Sequence, residues 1–445
     1  MNELKKRSIG IDILKAISLI SVIIYHFYEY KGTYIGVILF FVISGYLITE
    51  VLYERDDSYF SFIKRRYNKI FPPLIAVLTF TYLAFYYFYN YISVKLIFSS
   101  LSSLFGVSNL YQISTGMSYF ERSGDLFPLL HTWSLSIEIQ FYILFPFLIY
   151  LFKKFKLDKK IIIAIIMLLS FISAGLMFYK EYINYDISAI YYGTDTRIFS
   201  VFMGSAFYFL FKDRDLENEK QKLNTISYVC LGVIVVIVLS VDYLSKSNYY
   251  GFLFLISILG SFMTVTSLKT GFLDFENPVA KPFAKLGEHS YVYYLWQYPL
   301  MIFSLEFFKW SDIDYNYTVG IQIIILIILS EISYEFLIKR RQESIVLRRI
   351  FLVLYVALLA FLPISSETNS EEVKNRANEI DNNLITDDFN GITHNSTKKE
   401  YDSLRIDNVD YIVDRLLLEE ITSFEEQQDK KIEKKGRWGS RKKRG

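Results

Sequence analysis

Lys15 and His26 stand eleven residues apart in the first long apolar run of the chain. An ionisable side chain in such a segment costs about 3 kcal/mol or more unless it faces protein or water. Eleven steps of 100° make three turns plus about 20°, so the two share one helix face about 16 Å apart, and Asp12 shares it too. A second polar stripe is formed by His131, Ser134, Glu138 and Tyr142, spaced three, four and four, provided that their helix reaches back to His131. His26 lies about four residues from the outer end of its run and Glu138 about four inside the start of its own, so the two are expected at one depth, about 6 Å below the outer surface. An imidazole oriented by a carboxylate on one nitrogen is suited to take a proton from an attacking hydroxyl with the other. His26 and Glu138 are therefore the candidate catalytic pair. The plainer alternatives are a packing histidine and a buried carboxylate that ties helices together.

The elements that must position these groups are membrane helices. Of the 445 residues 52% are hydrophobic, and apolar runs near twenty residues recur. The expected fold is all-α, a polytopic transmembrane bundle of about 11 spans near 9–30, 34–53, 71–91, 134–152, 160–179, 197–212, 225–243, 250–268, 288–308, 318–338 and 347–364. A further stretch, 95–112, is rich in Ser and Gly and is expected to lie re-entrant or at the surface. The opening Lys5-Lys6-Arg7 followed by an apolar run imitates a signal peptide, but charges interrupt the run and no small-residue cleavage site follows, so it is read as a retained first helix. A cytoplasmic amino terminus places Lys64-Arg65-Arg66, the Lys153-to-Lys160 loop, 212–224, Lys281 with Lys285, and Lys339 to Arg349 all inside. Residues 1–364 form the membrane domain. Residues 365–445 are charged and poor in apolar side chains, an extracytoplasmic tail expected to be flexible. One cysteine, Cys230, allows no internal disulfide and no thiolate metal site. Neither a metal nor a nucleic-acid partner is expected; the bilayer itself is the surrounding partner.

On the inner side, Lys64, Arg65, Arg66 and Lys69 cluster. The positive-inside bias explains them, and so does a clamp for phosphates. Small Ser44 and Gly45, at mid-membrane, allow close approach of a helix or a ligand.

Several motifs stand in order along the chain: Lys15 and His26 with ten residues between, Phe40 to Thr49, Arg66-Tyr67-Asn68-Lys69 followed by Pro72, His131-Thr132-Trp133-Ser134-Leu135-Ser136-Ile137-Glu138-Ile139-Gln140-Phe141-Tyr142, Arg197 to Gly204, and Leu286 to Tyr291 leading to Trp296. On these the chain, over about 8–340, resembles the acyltransferase-3 family of multi-pass membrane enzymes that O-acylate sugars and envelope polymers. The resemblance implies an acyl group, usually acetyl from cytoplasmic acetyl-CoA, delivered to a hydroxyl of a cell-envelope glycan outside. It implies donor contacts at Lys15, Ser44, Arg65, Arg66 and Lys69, with the pantetheine arm reaching toward His26. Acceptor contacts are expected at Arg197, Trp133, His131 and Tyr142. The chain departs from the family's usual pattern at Ile38 (Asp), Ile139 (acidic), Lys69 (Arg) and Gln297 (His). An extracellular esterase-like domain, which some relatives carry, is not expected here, because no Asp-x-x-His pair follows Asp402-Ser403. A transporter or flippase of a lipid-linked or acidic solute is the competing reading, since it too needs inward-facing charges.

Overall fold

The computed structural model describes residues 8–30, 32–55, 58–116, 127–242, 245–275, 277–308, 313–340 and 344–368. The basic triplet Lys5-Lys6-Arg7 and the tail beyond 368 lie outside them. The described residues form helices and no strands, as an all-α reading requires. The first helices are α1 (Ile9–Tyr28), α2 (Gly36–Glu54), α3 (Tyr59–Tyr89), α4 (Val94–Leu104), α5 (Ser108–Ser114) and α6 (Thr132–Lys154). There follow α7 (Lys159–Tyr182), α8 (Ile187–Tyr192), α9 (Thr194–Arg197), α10 (Phe199–Phe211), α11 (Lys220–Ser240) and α12 (Leu253–Lys269). The last are α13 (Ala280–Glu288), α14 (Ser290–Phe308), α15 (Tyr315–Ser333) and α16 (Ile345–Thr368).

Among the described residues eight helical segments are long and apolar enough to cross a bilayer, and they overlap eight of the expected spans. Expected spans 288–308 and 347–364 are α14 and α16. Expected span 197–212 is shorter than anticipated: α10 has 13 residues, about 20 Å by helix rise. The stretch 95–112 is not one helix, because Gly106, at φ +69°, turns the chain between α4 and α5.

The helix that holds expected span 71–91 begins twelve residues earlier. Helix α3 begins at Tyr59, after the Ser58 cap accepts from the Ser61 N–H, and its 31 residues carry Arg65, Arg66 and Lys69 within the helix. At about 46 Å it is longer than the hydrocarbon core, which is how one helix holds both an apolar stem and a cationic end. Pro72 and Pro73 lie inside it. Pro72 deprives the Asn68 carbonyl of its usual helical donor; Arg348 Nη2 of α16 donates to that oxygen at 3.0 Å instead.

Contacts between helix ends sort the loops. Lys159 meets Asp213 at 2.6 Å, and that hydrogen bond holds the Asp213 carboxyl below the usual carboxylate range. Lys269 Nζ donates to the carbonyls of Lys212 and Arg214, and Lys153 Nζ to that of Arg55. Ser8 donates to Ser267 O beside the start of α1. At the other end Gly32 N–H donates to Val238 O, and Lys246 reaches Asn184. The 153–160 and 212–224 loops therefore share the end of the bundle where α1 begins, as the charge pattern requires. In the interior, α2 and α10 touch backbone to backbone: a Cβ on Gly204 would strike the Val42 carbonyl and one on Gly45 the Val201 carbonyl.

Candidate active site

A cavity of about 180 Å³ opens between α1, α2, α3, α6, α13 and α14. Its charged lining is Lys15, Arg66, Lys69, Glu138 and Glu288, three cations against two carboxylates. Each cation has a local cause. Lys15 pairs with buried Asp12 at 3.4 Å, three residues earlier on α1. Arg66 lies on α3 with its guanidinium 5.2 Å from the Phe62 ring and 5.6 Å from the Tyr142 ring, a cation over two aromatic faces. Lys69, one turn on, is exposed and marks the cavity's open side. Arg65 does not line the cavity; its Nη1 donates to Ser61 Oγ at 2.9 Å, one turn back on α3.

Opposite these cations stands a short polar chain. Tyr142 Oη donates to Glu138 Oε2 at 2.9 Å and lies 2.9 Å from Ser44 Oγ. Ser44 thus belongs to the cavity wall, whereas its neighbour Gly45 serves the contact with α10. Three members of the expected stripe, Ser134, Glu138 and Tyr142, line the cavity, whereas His131 precedes the first turn of α6 and does not. Tyr294 of α14 closes its far end: its hydroxyl donates to the His131 carbonyl at 2.7 Å and lies 2.7 Å from Ser134 Oγ.

Beyond Tyr294 lies the histidine level. His26 is 4% exposed, in the last turn of α1. The Tyr298 ring is 4.8 Å from His26 and 5.3 Å from His131, so it stands against both imidazoles. His131 also sits 5.4 Å from Tyr294 and faces the carbonyl of Leu295, the one that Pro299 leaves without its helical donor. His26 Nδ1 lies 2.8 Å from Oε1 of Gln297, which is 1% exposed.

The expected hydrogen bond between His26 and Glu138 is not formed. Glu138 bonds to Tyr142, and His26 to Gln297. Helix register is the reason. His131, the residue that caps the start of α6, is level with His26, and Glu138 lies seven residues further along, about 10 Å by helix rise, on the cavity wall among the cations. His26 itself does not line the cavity.

Two other expected contacts lie elsewhere. Arg197 is fully buried away from the cavity; its Nε donates to Tyr191 O at 2.9 Å and its guanidinium lies over the Tyr191 ring at 4.3 Å. Trp133 packs between Phe41 and Tyr191, at 6.1 and 4.7 Å, in the apolar core. Sequence reasoning did not single out the network that anchors α6 from behind. Gln140 Nε2 donates to Gly106 O and Asn109 Oδ1, and Thr194 donates to Gln140 Oε1 at 2.6 Å. An amide inside an apolar span was the signal for it. Ile139, where the family usually has an acidic residue, is packed under Gly106.

Among the described residues no cluster of His, Cys, Asp or Glu is arranged to hold a metal. The chain is 33% identical over 345 residues to O-acetyltransferase OatA of Staphylococcus aureus strain NCTC 8325 / PS 47, covering 74% of this chain and 56% of that protein. The OatA of strain COL matches over the same 345 residues at the same 33%. The chain thus spans about half the length of these curated relatives. No solved structure matches it. An acyltransferase domain of one family matches residues 8–334, almost the whole helical bundle, and the chain belongs to that family, acyltransferase-3.

Proposed function

We propose that the chain is a cell-membrane O-acetyltransferase that moves an acetyl group from cytoplasmic acetyl-CoA to a hydroxyl of an extracytoplasmic envelope glycan. The observation that carries this reading is the cavity: three cations, two carboxylates and several hydroxyls in its lining, and a pair of imidazoles just past its far end. Lys15, Arg66 and Lys69 take the donor phosphates, with Arg65 adding charge from the same helix; Arg supplies a fork and Lys a point charge. The cavity, about 180 Å³, suits the narrow thioester arm of the donor. Ser44 and Tyr142 hydrogen-bond along that arm, and Glu138 holds Tyr142 in place while balancing Arg66 and Lys69.

In this mechanism His26 takes the proton of the acceptor hydroxyl, the hydroxyl oxygen bonds to the thioester carbonyl carbon, and the carbon–sulfur bond breaks. The acetyl leaves on the glycan and the sulfur leaves as coenzyme A thiolate, which regains a proton from the imidazolium. His131, level with His26, contacts the acceptor; Trp133 and Arg197 act from behind by holding the Tyr191 and Tyr192 wall. The end of the bundle bearing the amino-terminal start of α1 faces the cytoplasm.

Base-labile acetyl on the envelope glycans of cells carrying the native chain, set against cells carrying His26→Ala, tests this. The ester disappears in the variant while the protein still reaches the membrane. Ester at the native level in His26→Ala removes His26 from the chemistry. Ester missing from both strains rejects the glycan acceptor and favours transport of a solute.

A further inference from the structure

Gln297 sits 271 residues from His26 in sequence and touches it in space, with Oε1 2.8 Å from Nδ1. Its burial is nearly complete, at 1% exposure, and its Nε2 has no hydrogen-bond partner among the described residues. Among the described residues the imidazole is thus the hydrogen-bond partner of the amide. An amide oxygen only accepts, so the bond requires a proton on Nδ1 and leaves the lone pair of the neutral ring on Nε2. A neutral amide does this without bringing a second charge into the bilayer.

We infer that Gln297 is the positioning residue for the reaction: through its carbonyl oxygen it fixes the tautomer and the angle of the His26 ring, so that Nε2 is the atom that accepts the proton of the acceptor hydroxyl. This rests on the reading of His26 as the base. It also relieves Glu138 of the orienting task, in keeping with that carboxylate's bond to Tyr142. The position of Gln297 is set by α14, whose Tyr294 and Tyr298 contact His131 on either side of the same helical turn. Helix α14 therefore carries the orienting group and the aromatic wall of the histidine level together.

The test uses the full chain in detergent, with acetyl-CoA labelled in the acetyl group and, as acceptor, de-O-acetylated envelope glycan from cells lacking the chain. Gln297→Leu, of similar size without the amide, lowers turnover at saturating donor about tenfold or more with the donor KM unchanged. Gln297→Glu keeps an acceptor oxygen at the same reach and returns most of that turnover. Nitrogen-15 spectra of histidine-labelled protein give a second readout that needs no turnover. The chain has four histidines, and the His26 signals are those lost in His26→Ala. They show Nδ1 protonated in the native chain and a mixture of tautomers in Gln297→Leu. A proton on Nε2 of native His26, or native turnover in Gln297→Leu while His26→Ala is inactive, overturns the assignment of Gln297 alone. Native turnover in His26→Ala, or a native chain inert towards this glycan, overturns instead the proposed function on which the assignment stands.

Discussion

Tyr142 is the residue on which the inner half of the site turns, because one hydroxyl joins Ser44 of α2 to Glu138 of α6. Tyr142→Phe removes both bonds and leaves the two partners facing a cavity, at a cost of about 1–3 kcal/mol for two hydrogen bonds. The expected outcome is a lower thermal midpoint in detergent together with weakened donor binding; an unchanged midpoint means that the hydroxyl is idle. Glu138→Gln keeps an acceptor for Tyr142 but deletes the charge opposite Arg66 and Lys69. Transfer is expected to fall by about tenfold or more at normal membrane abundance, measured as labelled acetyl transferred per protein. Much of this site was legible one residue at a time, for an ionisable group in an apolar run announces itself. What the sequence does not contain is the partner of each group. No spacing rule relates position 26 to position 297, and the one mark on Gln297 was that the family usually has histidine there.

At the scale of helices, the apolar runs give the spans because the bilayer imposes a single length on all of them. The exceptions have physical causes. The expected span leaves out the first three turns of α3, which are cationic, and the neighbouring α16 supplies the donor that Pro72 lacks. This account makes a linked prediction. Arg348→Ala leaves the Asn68 and Leu337 carbonyls without that guanidinium and costs about 1–3 kcal/mol in stability. Adding Pro72→Ala returns an N–H to Asn68 O and recovers part of the loss, so the two changes are not additive in thermal midpoints; strict additivity rejects the account. Gly287 is similarly constrained. A Cβ there would meet the Asp12 carbonyl well inside contact distance, so Gly287→Ala pushes α13 off α1, at about 1–3 kcal/mol. Depth was misjudged for a related reason: α6 starts at Thr132, level with the end of α1, and every residue after it is carried inward by helix rise.

For the molecule as a whole, the grouping of Lys153, Lys159, Lys212 and Lys269 contacts at one end of the bundle supports a cytoplasmic placement of that end. Single cysteines in a Cys230→Ser background test it. Tyr30→Cys is expected to react with an impermeant thiol reagent on intact cells, and Lys154→Cys only after the membrane is opened; the reverse pattern inverts the topology. Charge also bears on how the bundle is made. Lys15 and Asp12 are neighbours three residues apart on α1, so that helix carries its own counter-ion into the lipid. Arg66 and Lys69 are in place before Glu138 is translated, which means the carboxylate enters a membrane where its neutralising partners already wait. The wall completed by Tyr291 and Tyr294 comes after α1 to α13. The cavity is therefore closed only once α14 has docked, and under the proposed function competence to transfer comes with that step.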